Sequence, residues 1–145
     1  MPTFADNRKA HFDYEFLERF SAGLELLGPE VKSVRAGKLS LVGSYISVRG
    51  AEAFLLNADI APYQTNNMPK DYDSLRAKKI LLSKNEIASL SKAEQTKGLT
   101  IIPISVYSKG RFIKLDVAIA RGKKQFDKRQ AIKSRDVDRD LKRSS

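Results

Sequence analysis

A mainly β, antiparallel fold follows from three features of this chain. The clearest is a pair of alternating runs near its end. Ile102, Ile104 and Val106 alternate on one side, and Ile113, Leu115, Val117 and Ile119 alternate against Phe112, Lys114, Asp116, Ala118 and Ala120. With the Ser108-Lys109-Gly110 turn between them, they predict a β-hairpin. A second hairpin is predicted around Gly50, and the helical patterns are few and short. Short antiparallel strands with two or three small helices suit a closed or partly open barrel, because closure removes exposed strand edges.

The elements follow in order. Residues 1–11 read as a frayed, polar lead-in with Asn7, Arg8, Lys9 and His11. Phe12, Tyr14, Phe16 and Leu17 to Phe20 form an aromatic-rich strand that continues to Leu27, with Gly23 as a bulge or a close-approach point. Gly28-Pro29-Glu30 breaks it. Pro29 fits the first turn of a helix and Glu30 its positive end, which predicts a helix over about 29–36 stopped by Gly37.

Ser44 to Arg49 alternates with Ile46 and Val48 inward, and Ala53 to Ile60 returns beside it. Residues 61–76 hold Pro, Asn and Asp without apolar periodicity, so a long loop of the functional or mobile kind is expected there. Lys79-Ile80-Leu81-Leu82 is a short apolar strand or helix lead-in. Ser83 and Glu86 make a capping box for a helix ended by Gly98.

The chain has 145 residues, one domain's length, and a net charge of +10. The segment from Arg121 to Ser145 carries ten Lys/Arg against four Asp, a net +6. Its apolar points are too sparse to offset ordering, so it reads as a tail that is disordered when free and folds on a polyanion. The domains are therefore 1–120, a barrel, and 121–145, a basic tail. Such excess charge favours a phosphate backbone, which binds through counterion release.

There is no Cys and one His, which excludes a Cys/His metal site and makes a Ser-His-Asp or Cys-His set untenable. The carboxylate pairs Glu15/Glu18 and Asp71/Asp73 read as solvated, and no phosphate-binding glycine loop is present. No enzyme and no cofactor are expected. Nothing in the chain reads as a membrane span or a signal peptide, so a cytoplasmic protein without a membrane partner is expected. Five- or six-stranded barrels of this size include the OB-fold, and a generic OB-type single-strand RNA binder or ribosomal protein is one reading of these features.

Several spaced motifs sharpen that reading. They are Asn7-Arg8-Lys9-Ala10-His11, Glu30-Val31-Lys32-Ser33-Val34-Arg35-Ala36-Gly37-Lys38, Ile60-Ala61-Pro62-Tyr63 and Lys79-Ile80-Leu81-Leu82. Lys97-Gly98-Leu99-Thr100-Ile101-Ile102-Pro103 follows, then Ala120-Arg121-Gly122-Lys123-Lys124-Gln125-Phe126-Asp127-Lys128-Arg129 with Ile132-Lys133 beyond. In this order and spacing, over nearly the whole chain, they closely resemble the SsrA-binding protein family (small protein B, SmpB).

The resemblance implies an OB-like barrel that binds the tRNA-like end of transfer-messenger RNA (tmRNA, SsrA RNA). It implies delivery of that RNA to stalled ribosomes for trans-translation and peptide tagging, with no small-molecule substrate. The family's tmRNA contacts fall at Asn7, His11, Leu81 and Lys114, with Arg8 and Lys79 as phosphate contacts beside them; Leu81 is equally readable as packing. The tail is implied to enter the small-subunit decoding centre and mRNA channel as a helix. There Arg121, Gly122, Lys123, Lys124, Lys128 and Arg129 would meet ribosomal RNA, Phe126 would stack, Asp127 would order the basic cluster and Ile132 would pack in the channel. Two departures stand out. Many members carry Glu before the Ala-Gly of the long strand, where this chain has Ser21. Many carry His before Asp-Lys-Arg, where this chain has Phe126.

Overall fold

The two alternating runs near the end of the chain form the longest ladder in the fold. The computed structural model describes residues 3–62 and 69–123. In it β8 (Leu99–Lys109) and β9 (Phe112–Gly122) pair antiparallel from Leu99↔Arg121 to Lys109↔Phe112, turning at Gly110 with φ 60°. Only glycine adopts that backbone angle without a Cβ penalty.

On the far side of β9 runs β2 (Tyr14–Leu24), paired from Tyr14↔Gly122 to Gly23↔Lys114. β7 (Lys78–Leu81) follows, then β5 (Glu52–Leu56) and β4 (Tyr45–Arg49). The seventh strand, β1 (Thr3–Asp6), lies outside β8, so the order is β1-β8-β9-β2-β7-β5-β4 with every pairing antiparallel. The sheet curls strongly enough that β4, at one edge, packs against β8 near the other. Among the described residues no hydrogen-bonded ladder joins the two edges. The mainly β, antiparallel class is as the sequence predicts, and the described residues hold three helices: α1 (Arg8–Asp13), α2 (Gly28–Arg35) and α3 (Lys84–Glu94).

The concave side holds the main core. Phe20, Ala22 and Leu24 of β2 meet Ile113, Leu115, Val117 and Ile119 of β9, with Leu55, Ile80, Leu90 and Val106 around them. Alternation of side chains across each strand puts these on one face and leaves their neighbours on the other.

Four local differences from the sequence reading have physical causes. Residues 3–11 are not the expected frayed lead-in: β1 pairs with β8, and α1, capped by Asn7, runs on to Asp13 past the expected strand start at Phe12. The expected strand over 53–60 breaks at Asn57, whose φ of 60° turns the chain. Asn tolerates that region better than other residues with a Cβ. Beyond the break, β6 (Asp59–Ile60) pairs with β3 (Leu39–Ser40) in a separate two-stranded sheet. Ile102, Ile104 and Val106 do not share one side. A bulge between Pro103 and Ser105 inserts Ile104, so Val106 enters the main core while Ile102 and Ile104 line the outer face. The bulge of β2 sits at Leu17, between Phe16 and Glu18, and not at Gly23.

The helices close the ends. α3 has the predicted capping box: Ser83 Oγ accepts from the Glu86 N–H at 3.2 Å, and Glu86 Oε1 accepts from the Ser83 N–H at 3.0 Å. At the other end of α3, Glu94 Oε2 accepts from the Val48 N–H at 2.9 Å and satisfies a donor on edge strand β4.

In α2 the expected dipole partner Glu30 does more than flank the helix. Its carboxylate is fully buried and accepts from the Leu27 N–H at 2.7 Å. It also accepts from the Tyr72 hydroxyl at 2.9 Å, from Arg76 Nε at 2.9 Å, and from Arg76 Nη2. Buried Lys78 gives its ammonium to the carbonyls of Ala58 and Ser74. The later part of the expected 61–76 loop is thus pinned to α2; residues 63–68 lie outside the described residues.

Candidate nucleic-acid interface

The convex face of the sheet is built from residues that alternation turns away from the core. Direct cross-strand partners point to the same side, so the register fixes who is neighbour to whom. Leu81 of β7 sits opposite Gly23 of β2, Gly23 opposite Lys114 of β9, and Lys114 opposite Tyr107 of β8. One step along, Ser21 faces Asp116, and further on Arg19 faces Ala118 and Phe16 faces Ala120. Phe112 and Ala120, both on this face, are eight residues apart on β9, which spans about 26 Å.

Two ends of this face differ in character. At the Leu81 end an open groove is lined by Leu24, Leu26, Leu81, Arg111, Phe112 and Lys114. Leu81 and Phe112 are both at least half exposed, at 50% and 62%. Gly23 gives Leu81 its seat: a Cβ there would lie 3.3 Å from Leu81 Cβ. The close-approach role expected of Gly23 is the one it has. The Arg111 guanidinium lies 5.7 Å from the Phe112 ring centroid, and Arg35 donates to the Arg111 carbonyl at 3.1 Å. The arrangement is apolar and aromatic with cations at its rim, which suits stacked bases flanked by phosphates.

At the other end α1 packs on the convex face. Ala10 joins Ile102, Ile104, Ala118 and Ala120 in a small second core with Tyr14 and Phe16 against it. Asn7 fixes the helix: its Oδ1 accepts from the Ala10 N–H at 3.3 Å, and its Nδ2 donates to the Pro103 carbonyl at 2.9 Å. Its backbone N–H donates to the Ile104 carbonyl at 2.7 Å, so Asn7 satisfies the carbonyls freed by the β8 bulge. Arg8 is exposed at the first position of α1. His11 is 40% exposed, with Nε2 3.6 Å from Asp6 Oδ1 and its ring centroid 5.0 Å from that of Phe16. Arg19 lies 5.9 Å over the other side of the aromatic patch, above Phe16.

The six residues expected to meet tmRNA therefore divide. Leu81 and Lys114 line the groove, His11 and Arg8 are exposed at the α1 end, and Asn7 is half-buried in structural hydrogen bonds. Lys79 lies on the convex side of β7, two residues from Leu81, with its ammonium 3.3 Å from Glu52.

Of the tail residues, Arg121 and Gly122 belong to the β9 ladder. Arg121 lies on the opposite face from Ala120 and donates to Glu15 at 2.8 Å. Lys123 donates its N–H to the Asp13 carbonyl at 2.8 Å and its ammonium to the His11 carbonyl at 3.2 Å, so the chain leaves the sheet beside α1. Lys124, Phe126, Asp127, Lys128, Arg129 and Ile132 lie outside the described residues.

Sequence reasoning missed Tyr107, Arg19, Phe16 and Phe112 as members of this face. The outward register of Phe112 was legible; the others needed the β2–β9–β8 pairing. Between the two ends, Tyr107 donates to Asp116 Oδ1 at 3.0 Å and lies 2.6 Å from Ser21 Oγ. Burial pushes the Tyr107 phenol up, and the hydrogen bond to Asp116 adds to this while Ser21 opposes it, so the hydroxyl keeps its proton. Among the described residues no cluster of three or more His, Cys, Asp or Glu is placed to hold a metal ion, and no helix is long and apolar enough to cross a membrane.

A family model described as SmpB protein matches residues 4–145. The chain belongs to the SmpB family. An SsrA-binding protein of Prochlorococcus marinus subsp. pastoris is 49% identical over 138 residues, 95% of this chain and 79% of that one. One from Gloeobacter violaceus is 47% identical over 139 residues, covering 96% of this chain and 91% of its own. A chain of a solved structure, described as "tmRNA-SmpB: a journey to the center of the bacterial ribosome", superposes with a TM-score of 0.67. It is 39% identical, with 88% of this chain and 92% of that chain covered. The resemblance read from the motifs is thereby established for the family.

Proposed function

We propose that this SmpB-family chain binds the tRNA-like end of SsrA RNA with its convex sheet face and carries that RNA to stalled ribosomes for trans-translation. The observation that carries the reading is the face itself: aromatic and apolar groups at Leu81, Phe112 and Phe16 alternate with cations at Arg111, Lys114 and Arg19. Rings and apolar groups stack on bases, and the cations meet phosphates. The names of its relatives and of the solved assembly supply the RNA and the ribosome as partners. The curled sheet, with β4 returning against β8, is read as an OB-like barrel.

His11 and Arg8 grip one end of the RNA element and Leu81, Lys79 and Lys114 the other. Asn7 acts by holding α1 in place. The described chain ends beside α1 at Lys123, and of the residues that follow, Lys124, Phe126, Asp127, Lys128, Arg129 and Ile132 serve the decoding centre and message channel. The protein works by binding and positioning, without catalysis or a cofactor, and in the cytoplasm where ribosomes translate.

The test pairs RNA selectivity with ribosome function. Full-length protein is titrated with SsrA RNA and with an unrelated folded RNA of similar length. Selective binding that weakens steeply between about 50 and 200 mM salt is expected. A chain cut after Lys123, which leaves the β9 ladder whole, is expected to keep RNA binding and lose tagging on stalled ribosomes. Full tagging by the cut chain, or no preference for SsrA RNA, overturns the reading.

A further inference from the structure

Asp116 is an acidic group on the convex face between the Leu81–Lys114 groove and the Phe16–Arg19 patch, across from Ser21. Its side chain is 26% exposed. A carboxylate repels phosphates, so on a nucleic-acid face it needs a reason. It is not held in an ion pair of hydrogen-bonding closeness: Arg19 Nη2 stands 3.8 Å from Oδ2. What organises it is a hydroxyl chain. Tyr107 has one proton and gives it to Asp116 Oδ1 at 3.0 Å. The 2.6 Å contact between Ser21 and Tyr107 must then be donated by Ser21. Both exposed ends of the chain, Ser21 Oγ and Asp116 Oδ2, are thereby left as acceptors.

Such a site takes a ligand that brings donors. Phosphate oxygens are acceptors and are turned away. Among unpaired bases, uracil flanks its N3–H with carbonyls, and adenine and cytosine set a ring acceptor beside their amine. Each of these would place an acceptor against one of the two free acceptors, Ser21 Oγ or Asp116 Oδ2. Guanine alone presents adjacent N–H donors, at N1 and N2, on one edge.

We propose that Asp116, oriented by Tyr107 and Ser21, is a specificity-determining residue that reads the N1/N2 edge of an unpaired guanine in the bound RNA. The carboxylate sits on β9, directly across the ladder from Ser21. Ser21 and Asp116 together thus offer an acceptor surface at the same place on the sheet. The inference rests on the RNA-binding reading above.

The test uses full-length protein with SsrA RNA and an unrelated folded RNA. Asp116→Asn keeps the shape and an oxygen for Tyr107 but replaces one acceptor by a donor. It is expected to weaken SsrA RNA binding about tenfold. Affinity for the unrelated RNA should not fall, since a negative charge has been removed. Kethoxal, which reacts at guanine N1 and N2, should find a guanine of SsrA RNA that is protected by the wild type and exposed with Asp116→Asn. Tyr107→Phe, which frees the carboxylate without removing it, should weaken binding by a smaller factor.

Wild type that prefers SsrA RNA, together with Asp116→Asn that binds it equally or more tightly, overturns this proposal and leaves the RNA-binding reading standing. Wild type without that preference overturns both. If Asp116→Asn fails to fold, the wild-type footprint decides: absence of any protected guanine overturns the proposal.

Discussion

Arg76 closes on the carboxylate of Glu30 through both Nε and Nη2, forty-six residues along the chain from it. Glu30 is fully buried at the first turn of α2 while the Arg76 side chain is 30% exposed. The pair, with Tyr72 and the Leu27 N–H, joins α2 to the segment that leads into β7, the strand that presents Lys79 and Leu81. Integrity of the groove thus depends on a contact well removed from it.

Removal of one partner should show that dependence. Arg76→Ala strands a buried carboxylate with only Tyr72 and one backbone N–H. Loss of about 3 kcal/mol in urea unfolding is expected, and breaking a buried pair is costly for this reason. Glu30→Ala should cost a similar amount by leaving the guanidinium and the Leu27 N–H unanswered. An unchanged urea midpoint in both would show the pair to be energetically idle.

Acid should weaken the same contact. Burial pushes the Glu30 carboxyl up, but the hydrogen bond from Arg76, then those from Leu27 and Tyr72, outweigh it and hold the group below its ordinary 4.5. The unfolded chain therefore takes up this proton at a higher pH than the folded chain. The contribution to stability is full above about pH 4.5 and is lost as pH falls through the lower folded value. Urea midpoints measured from pH 7 down to 3 should fall in this window, and Glu30→Gln should flatten that part of the profile.

Gly23 should be intolerant of bulk for a local reason. Even an added Cβ would stand 3.3 Å from Leu81 Cβ. Gly23→Val is expected to push Leu81 off its seat, lowering SsrA RNA affinity severalfold while costing about 1–3 kcal/mol of stability. Affinity equal to wild type would show that the Leu81 position does not matter for binding.

Glu94 guards an edge. Its carboxylate takes the Val48 N–H of β4, beyond which no strand lies among the described residues. Glu94→Ala is expected to cost about 1 kcal/mol and to speed hydrogen exchange at Val48. Unchanged exchange would mean that water serves the amide equally well.

Phe126 tests the tail chemistry. A stacking role predicts that Phe126→Ala impairs tagging on stalled ribosomes more than Phe126→His does, because both rings stack on a base. Equal tagging by Phe126→Ala and wild type removes that role.

Local signals were legible without a structure. The β8–β9 hairpin, the capped helices α2 and α3, the outward set of Phe112, Lys114 and Asp116, and the family motifs all rest on residues within a few positions of one another. The same is true of the charge that points to a polyanion. What pairs at long range was not legible. Nothing near Arg8 announces that β1 and α1 pack on β8, and nothing near Ile104 announces a bulge whose carbonyls Asn7 answers.

The face shows the same division. Alternation by itself gave each strand an inside and an outside. Only the register of β7, β2, β9 and β8 set Leu81, Lys114, Tyr107, Ser21 and Asp116 side by side. The sequence determined the family, the partner's charge and, away from the bulges, which side chains turn outward, because these follow from composition, period and motif. The tertiary structure decided which of them meet, because strand register is chosen by burial of the whole opposite face and by no single residue's preference.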